Sequence, residues 1–341
     1  MRIVRSLVPF VIALALVGAA LAQSAVEPLS PRETVRVAYV PITKFGTLYV
    51  AADRGLFDAY GLDVEINRVA SGTEAIAFLE QGQIDVGGIA IVVSLWNGWA
   101  QGLDLRVIAP GGLEPFENSP TKLMLRADLA DEVADIADLR GRTVAVAGGP
   151  GSGGEYLAAK ALERGGLTIF DVNLVNVANP DIPLSFESGA IDAAILGAPF
   201  ADQAEASGAA VPFAEDLTPG LMTVAFVGSG RFVQERPEVA RRFALALLEA
   251  SRLMQGDELF SRENLDAFLT YLPNATEEAL QSGAPVVYDP NQQIPVDGLA
   301  DVERTHRENG RTAYETPIDL DAVVDLSFMD WALEQLGAHG E

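Results

Sequence analysis

Apolar and polar residues alternate through Val35, Val37 and Tyr39, and at Gly46 the spacing changes to that of a helix in Gly46-Thr-Leu-Tyr-Val-Ala-Ala. The same change recurs about a hundred residues later, from Val144 and Val146 into Gly154-Glu-Tyr-Leu-Ala-Ala-Lys. A period of two buries one face of a strand, and a period near 3.6 buries one stripe of a helix. Both helical stretches end at Gly-Leu pairs, Gly61-Leu62 and Gly166-Leu167, where glycine takes the left-handed cap that stops a helix. Leu62 to Val69 then reads as a second strand. Ser71 is placed to cap a helix over 75–80, its hydroxyl meeting orphan N–H groups. Each copy next shows Gly-x-Ile-Asp before an apolar strand, Gly82 to Asp85 and Gly189 to Asp192. Strands alternating with helices predict a parallel α/β sheet. Two such units predict two lobes, with a cleft between them for a small ligand.

The remaining pattern assigns the other elements. A helix over Ser94 to Gln101 carries Trp96 and Trp99, and a fourth strand, Leu105 to Ala109, ends in Pro110-Gly111-Gly112. Near Pro120 the chain is expected to cross to the second lobe, and the apolar run Leu221 to Val227 reads as the return. Two crossings make a two-strand hinge, a common device for domain closure. Pro237 opens a long amphipathic helix with Val239, Phe243, Leu247, Ala250 and Met254 on one stripe. Shorter helices, punctuated by Pro273, Pro285, Pro290, Pro295 and Pro317, are expected to pack mainly on the first lobe. The expected domains are therefore 34–119 plus 229–341 for lobe 1, and 120–228 for lobe 2.

Composition narrows the setting. The 341 residues are 49% hydrophobic, enough for a sizeable core and two domains. The start pairs a basic Met-Arg-Ile-Val-Arg with an apolar run, and Ala20-Leu21-Ala22 supplies a small-x-small cleavage pattern. Residues 1–22 are thus read as a signal peptide cleaved near Ala22, with a periplasmic mature protein. Cysteine is absent, which removes disulfides, Cys metal sites, a thiol nucleophile and a lipid-modified N-terminal Cys. The formal net charge of −25 speaks against nucleic acid or an anionic membrane surface as partner. Acidic residues are spread along the chain, as on a highly solvated surface.

Little in the sequence points to catalysis. Gly149-Pro-Gly151-Ser-Gly153-Gly154 fits G-x-G-x-x-G between a strand and a helix, but no acidic residue closes the following strand. The turn is read instead as free N–H groups at a positive helix end, suited to a small anion or polar head. Thr43-Lys44-Phe45-Gly46-Thr47 occupies the equivalent turn of the first lobe. Lys44, one of three lysines, is placed to neutralise a ligand charge or to sit in solvent, and Phe45 to stack on the ligand. The two histidines, His306 and His339, lie outside the repeats and form no metal cluster or Ser-His-Asp arrangement. Asp85 and Asp192 read as strand-start residues. No catalytic residue, metal or cofactor is expected.

Gly46 to Glu65, Ser71-Gly72, Leu79 to Val86, Asp138 to Val146 and Gly189 to Ala193 together resemble the solute-binding proteins of ABC importers for nitrate, sulfonates, taurine and thiamine-pyrimidine precursors. The likeness covers roughly residues 34 to 255. It implies a type II periplasmic-binding fold, a ligand held in the cleft, and delivery to an inner-membrane permease by a monomer. Carried onto this chain, the family's ligand contacts fall on Thr43, Lys44, Phe45, Gly46 and Thr47, on Ser71 and Gly72, on Ala90, on Ser152 and Gly153, and on Pro199 with Phe200. Lys44 to Leu48 is most similar to the aliphatic-sulfonate group, so a small anionic, sulfonate-like solute is the leading expectation. The turn after Asp85 lacks hydroxyls for an oxyanion, which keeps a thiamine-pyrimidine precursor or an aromatic acid as the alternative. A pyrimidine-forming enzyme shares the implied fold, but its His and Cys requirements find no match here.

Overall fold

The computed structural model describes residues 26–69, 71–197, 200–273, 275–282 and 286–340. The expected signal peptide and Pro199 lie outside the described residues. In the first lobe the chain runs β1 (Glu33–Tyr39), α1 (Gly46–Asp53), α2 (Leu56–Ala59), β2 (Leu62–Arg68), α3 (Gly72–Glu80), β3 (Val86–Ala90), α4 (Val93–Ala100) and β4 (Leu105–Pro110). β1 is parallel to both β2 and β3, as strand–helix–strand connections demand.

The second lobe repeats the plan with β5 (Thr121–Arg126), β6 (Thr143–Val146), α5 (Gly153–Glu163), β7 (Asn173–Asn176), α6 (Ile182–Glu187), β8 (Ala193–Gly197), α7 (Phe200–Ala206) and β9 (Ala210–Ala214). β10 (Val224–Ser229) then returns to the first sheet, antiparallel to β3 and β4. The sheet orders are β2-β1-β3-β10-β4 and β7-β6-β8-β5-β9. Position by position they correspond, and the one antiparallel strand in each is the first received after a crossing. β10 begins at Val224, so the second half of the apolar run Leu221 to Val227 lies in a central strand of the first sheet, buried at every residue.

The crossings lie side by side. Glu114 N–H donates to the Leu221 carbonyl at 2.9 Å, and Gly220 N–H returns to Glu114 at 3.2 Å. The tail adds α8 (Gly230–Glu235), α9 (Pro237–Arg252), α10 (Arg262–Tyr271), α11 (Glu277–Ser282), α12 (Val296–Glu308) and α13 (Ser327–Leu336). The predicted stripe of α9 is buried at every position, and it joins one core with α1, β1 and α13. A second core, on the other face of the first sheet, gathers Ile89, Trp96, Val107 and Ala225 with Leu299 and Val302 of α12. Tyr156 of the second lobe also reaches into it.

Candidate functional site

Parallel strands deliver the turns that follow them to one edge of a sheet, so the two lobes present their strand-end turns as two rims. In the first rim, Thr43 to Phe45 form one turn of 3-10 helix between β1 and α1. The Thr43 carbonyl accepts the Tyr288 hydroxyl, and the Lys44 carbonyl accepts Gly112 N–H at 2.7 Å. Phe45 is fully buried, lies under Gly88, and meets Phe226 edge-on at 5.4 Å. The expectation that its ring stacks on a ligand is corrected: Gly88 has no side chain, and the Phe45 ring packs against its backbone inside the core. Gly46 is also enclosed, since a Cβ there would lie 2.5 Å from the Tyr288 hydroxyl and 2.6 Å from Phe268. Thr47 is buried inside α1, and its Oγ1 has no hydrogen-bond partner among the described residues.

Lys44 is held rather than free. Its ammonium pairs with Glu114 on the first crossing and donates to Thr223 Oγ1 at 2.6 Å. Both charged side chains are mostly buried, with 19% and 14% exposure. Two of the three ammonium donors are thus engaged within the chain.

Ser71 caps α3, its Oγ accepting Glu74 N–H at 3.3 Å, as its place in the sequence predicts. Gly72 lies against the end of β3, where a Cβ would stand 3.7 Å from Ala90 N. Ser71, Gly72 and Ala90 are therefore brought together. Beside them α4 begins at Val93, and its N-cap Val92 provides no side-chain cap. Its Val93 touches the opposite rim, because a Cβ on Gly151 would lie 3.0 Å from that side chain. At this point the two lobes meet.

The second rim is the glycine turn before α5. Gly148, Gly149 and Gly151 all have positive φ, at 93°, 69° and 78°, a backbone that other residues rarely adopt. Ser152 caps α5 by accepting Glu155 N–H at 3.2 Å, and its hydroxyl donates to the Ala147 carbonyl at 3.1 Å. Gly153 is exposed, with open space above it. The unexpected group is Glu155. Fully buried, it turns back to accept Gly151 N–H at 3.3 Å and takes Arg311 in a bidentate pair at 2.8 to 3.0 Å. A carboxylate of the chain itself thus takes one N–H of the glycine turn, that of Gly151, while Gly153 at the start of α5 stays open. Phe200, half-buried at the start of α7, packs on a small cluster with Ile182 and Phe186.

Glu155 belongs to a seam between the lobes. The Tyr156 hydroxyl donates to Asp301 at 2.8 Å, Lys160 reaches the same carboxylate at 3.1 Å, and Arg304 pairs with it too. Burial pushes the Asp301 carboxyl up, but hydrogen bonds from Arg304, Tyr156 and Lys160 outweigh it and hold it below its ordinary range. His306, on the same helix, is 1% exposed, and burial pushes its imidazole down from the ordinary value, so it is neutral at pH 7. Asp85 and Asp192 sit at the opposite sheet edges. Asp85 accepts Arg36 N–H at 2.9 Å and Asp192 accepts Thr143 N–H at 2.8 Å, equivalent strand-start roles in both copies. No group of three metal-ligating side chains occurs among the described residues.

Sequence reasoning missed Glu114, Thr223, Val93 and Arg311. Only Glu155 had left a legible signal, the Ser152-x-x-Glu155 spacing of a capping box.

A model of the NMT1-like family matches residues 29–267. A binding protein of Brucella abortus is 25% identical over 242 residues, covering 63% of this chain and 65% of that protein, just under two thirds of its length. A riboflavin-binding protein of Chloroflexus aurantiacus is 25% identical over 266 residues, or 73% and 69% of the two chains. Among solved structures, a periplasmic sulfonate-binding protein of Methylobacillus flagellatus superposes with a TM-score of 0.70 at 18% identity, over 91% of this chain and 96% of its own. A desulfurization enzyme shares the fold as well, with a TM-score of 0.61 at 21% identity over 89% and 100%. The architecture is accordingly the two-lobe fold of periplasmic binding proteins, with mixed sheets flanked by helices.

Proposed function

The chain belongs to the NMT1-like family, and from that premise we propose that it is the solute-binding component of an importer. It captures a small organic molecule between its rims and delivers it, in the closed form, to a membrane permease. The observation that carries this reading is the meeting of two equivalent strand-end rims at Gly151 and Val93, each bearing capped or free helix N-termini. Such rims supply fixed N–H donors to a polar head. The relatives described as binding proteins support the reading, and so does the absence of cysteine from the sequence. Because the fold also serves a desulfurization enzyme, binding without turnover is part of the proposal. So are export to the periplasm and the permease as partner. No helix among the described residues is long and apolar enough to cross a membrane.

Two solute classes have specific support: a sulfonate, from the fold neighbour described as binding one, and an uncharged heteroaromatic body, from the relative described as binding riboflavin. A thermal-shift panel of sulfonates, nitrate, amino-pyrimidines, aromatic acids and riboflavin tests the receptor reading. A ligand that binds only the folded state stabilises it by mass action, by about 2.7 kcal/mol at a hundred times Kd, and so raises the midpoint. At least one class is expected to give a saturable rise. A panel with no effect on the midpoint, or loss of a solute by conversion, contradicts the reading.

A further inference from the structure

We propose that Arg311 is a positioning residue of the solute site: it holds Glu155, and through Glu155 the glycine turn of the second rim. The inference rests on the receptor reading above and adds the group that keeps that rim in shape. Gly148, Gly149 and Gly151 must all keep positive φ angles, and glycine is the residue that loses most conformational freedom on ordering. The turn's own bonds are few. Ser152 N–H donates to the Gly149 carbonyl at 3.2 Å, and the Ser152 hydroxyl donates to the Ala147 carbonyl. The Gly151 N–H is left to a side chain, that of Glu155. A rim that is not ordered beforehand takes the cost of its ordering from the affinity for a solute.

One bond of 3.3 Å to Gly151 does not by itself fix a carboxylate on a flexible stem. Arg311 does, because its planar fork meets both oxygens: Nε lies 2.9 Å from Oε1 and 3.0 Å from Oε2, and Nη2 lies 2.8 Å from Oε2. The strap that carries Arg311 is itself tied down. Arg311 N–H donates to the His306 carbonyl at 2.9 Å, and Ala313 N–H donates to Asn97 Oδ1 at 2.7 Å. Asn97 lies one turn along α4 from Val93, the side chain that meets Gly151 from the first rim. One helix of the first lobe thus restrains the glycine turn twice, by contact through Val93 and by charge through the Arg311 strap. Both restraints act only while the lobes are together, so the second rim takes its final shape on closure.

The test uses the double variant Glu155→Gln/Arg311→Met. It removes the tether and both charges, yet leaves a Gln oxygen able to accept Gly151 N–H. Methanesulfonate, nitrate, 4-aminopyrimidine, benzoate and riboflavin, one compound from each class of the panel, are titrated calorimetrically into wild type and variant. Hydrogen exchange of the protein alone is followed by mass spectrometry over residues 148–154, with residues 158–163 of the same helix as reference. Any compound that the wild type binds is expected to bind the variant at least tenfold more weakly. Exchange over 148–154 is expected to rise at least tenfold relative to the reference, a local change that a general loss of stability would not produce. Wild-type affinity in the variant, or exchange that rises equally over both stretches, overturns the inference and leaves the receptor reading standing. If the double variant does not fold, Arg311→Lys decides by the same two readings, since it keeps a charge beside Glu155 but loses the planar fork. Should the wild type bind none of the five compounds, the receptor reading falls and the inference with it.

Discussion

Phe45 and Lys44 are adjacent in one turn, yet the ring is enclosed by Gly88 and Phe226 while the ammonium reaches Glu114 and Thr223. Local pattern alone does not separate such neighbours, because both belong to a strand-end turn; burial from a distant strand does. Phe45→Ala should therefore cost about 3–5 kcal/mol in urea unfolding, the range for removing a buried ring. A cost below about 1 kcal/mol would return Phe45 to the rim. His306 allows a second check at this scale. Its imidazole is depressed by burial in the fold, so the unfolded chain binds a proton that the native state does not. Stability should then fall as pH drops below about 6.5, by up to about 1.4 kcal/mol per pH unit. His306→Gln is expected to flatten that limb of the urea midpoint against pH, and an unaltered slope would assign it to other groups.

Elements were more legible than contacts. The strands, the helices at Gly46 and Gly154, the cap at Ser71 and the buried stripe of α9 all follow from periodicity and turn chemistry, which act within a few residues. What the sequence could not show was which elements meet. The Ser152-x-x-Glu155 spacing marks a helix start, but Arg311 lies 156 residues further on, beyond the reach of any local rule. That pair can be tested as a unit. Arg311→Met leaves a fully buried carboxylate without its cation and should cost about 3–5 kcal/mol. The double variant Glu155→Gln/Arg311→Met should recover much of the loss, because it removes the uncompensated charge as well. Equal costs for the single and double variants would mean that the pair contributes only as packing. Loss of the α5 cap in Ser152→Ala is worth about 1 kcal/mol on the same scale.

The duplication is the feature of the whole molecule that the sequence displayed most clearly, down to the equivalent roles of Asp85 and Asp192. The position of β10 was the exception, since an apolar run reads alike as a crossing and as a central strand buried on both faces. In the proposed receptor, parting of the lobes would bend the side-by-side crossings and break the Tyr156–Asp301–Lys160 seam. Scattering should record a more compact chain with a bound solute than without, and Tyr156→Phe, which drops one seam bond, should widen that difference. Equal compactness in both states would count against closure.

The most direct measurement is equilibrium dialysis of the purified protein against the panel compound that most raises its midpoint, followed by mass spectrometry of the released compound. Saturation at one molecule per chain, with the compound recovered chemically unchanged after prolonged incubation, is what a two-lobed receptor predicts. Progressive conversion of the compound, or uptake that never saturates, would contradict it.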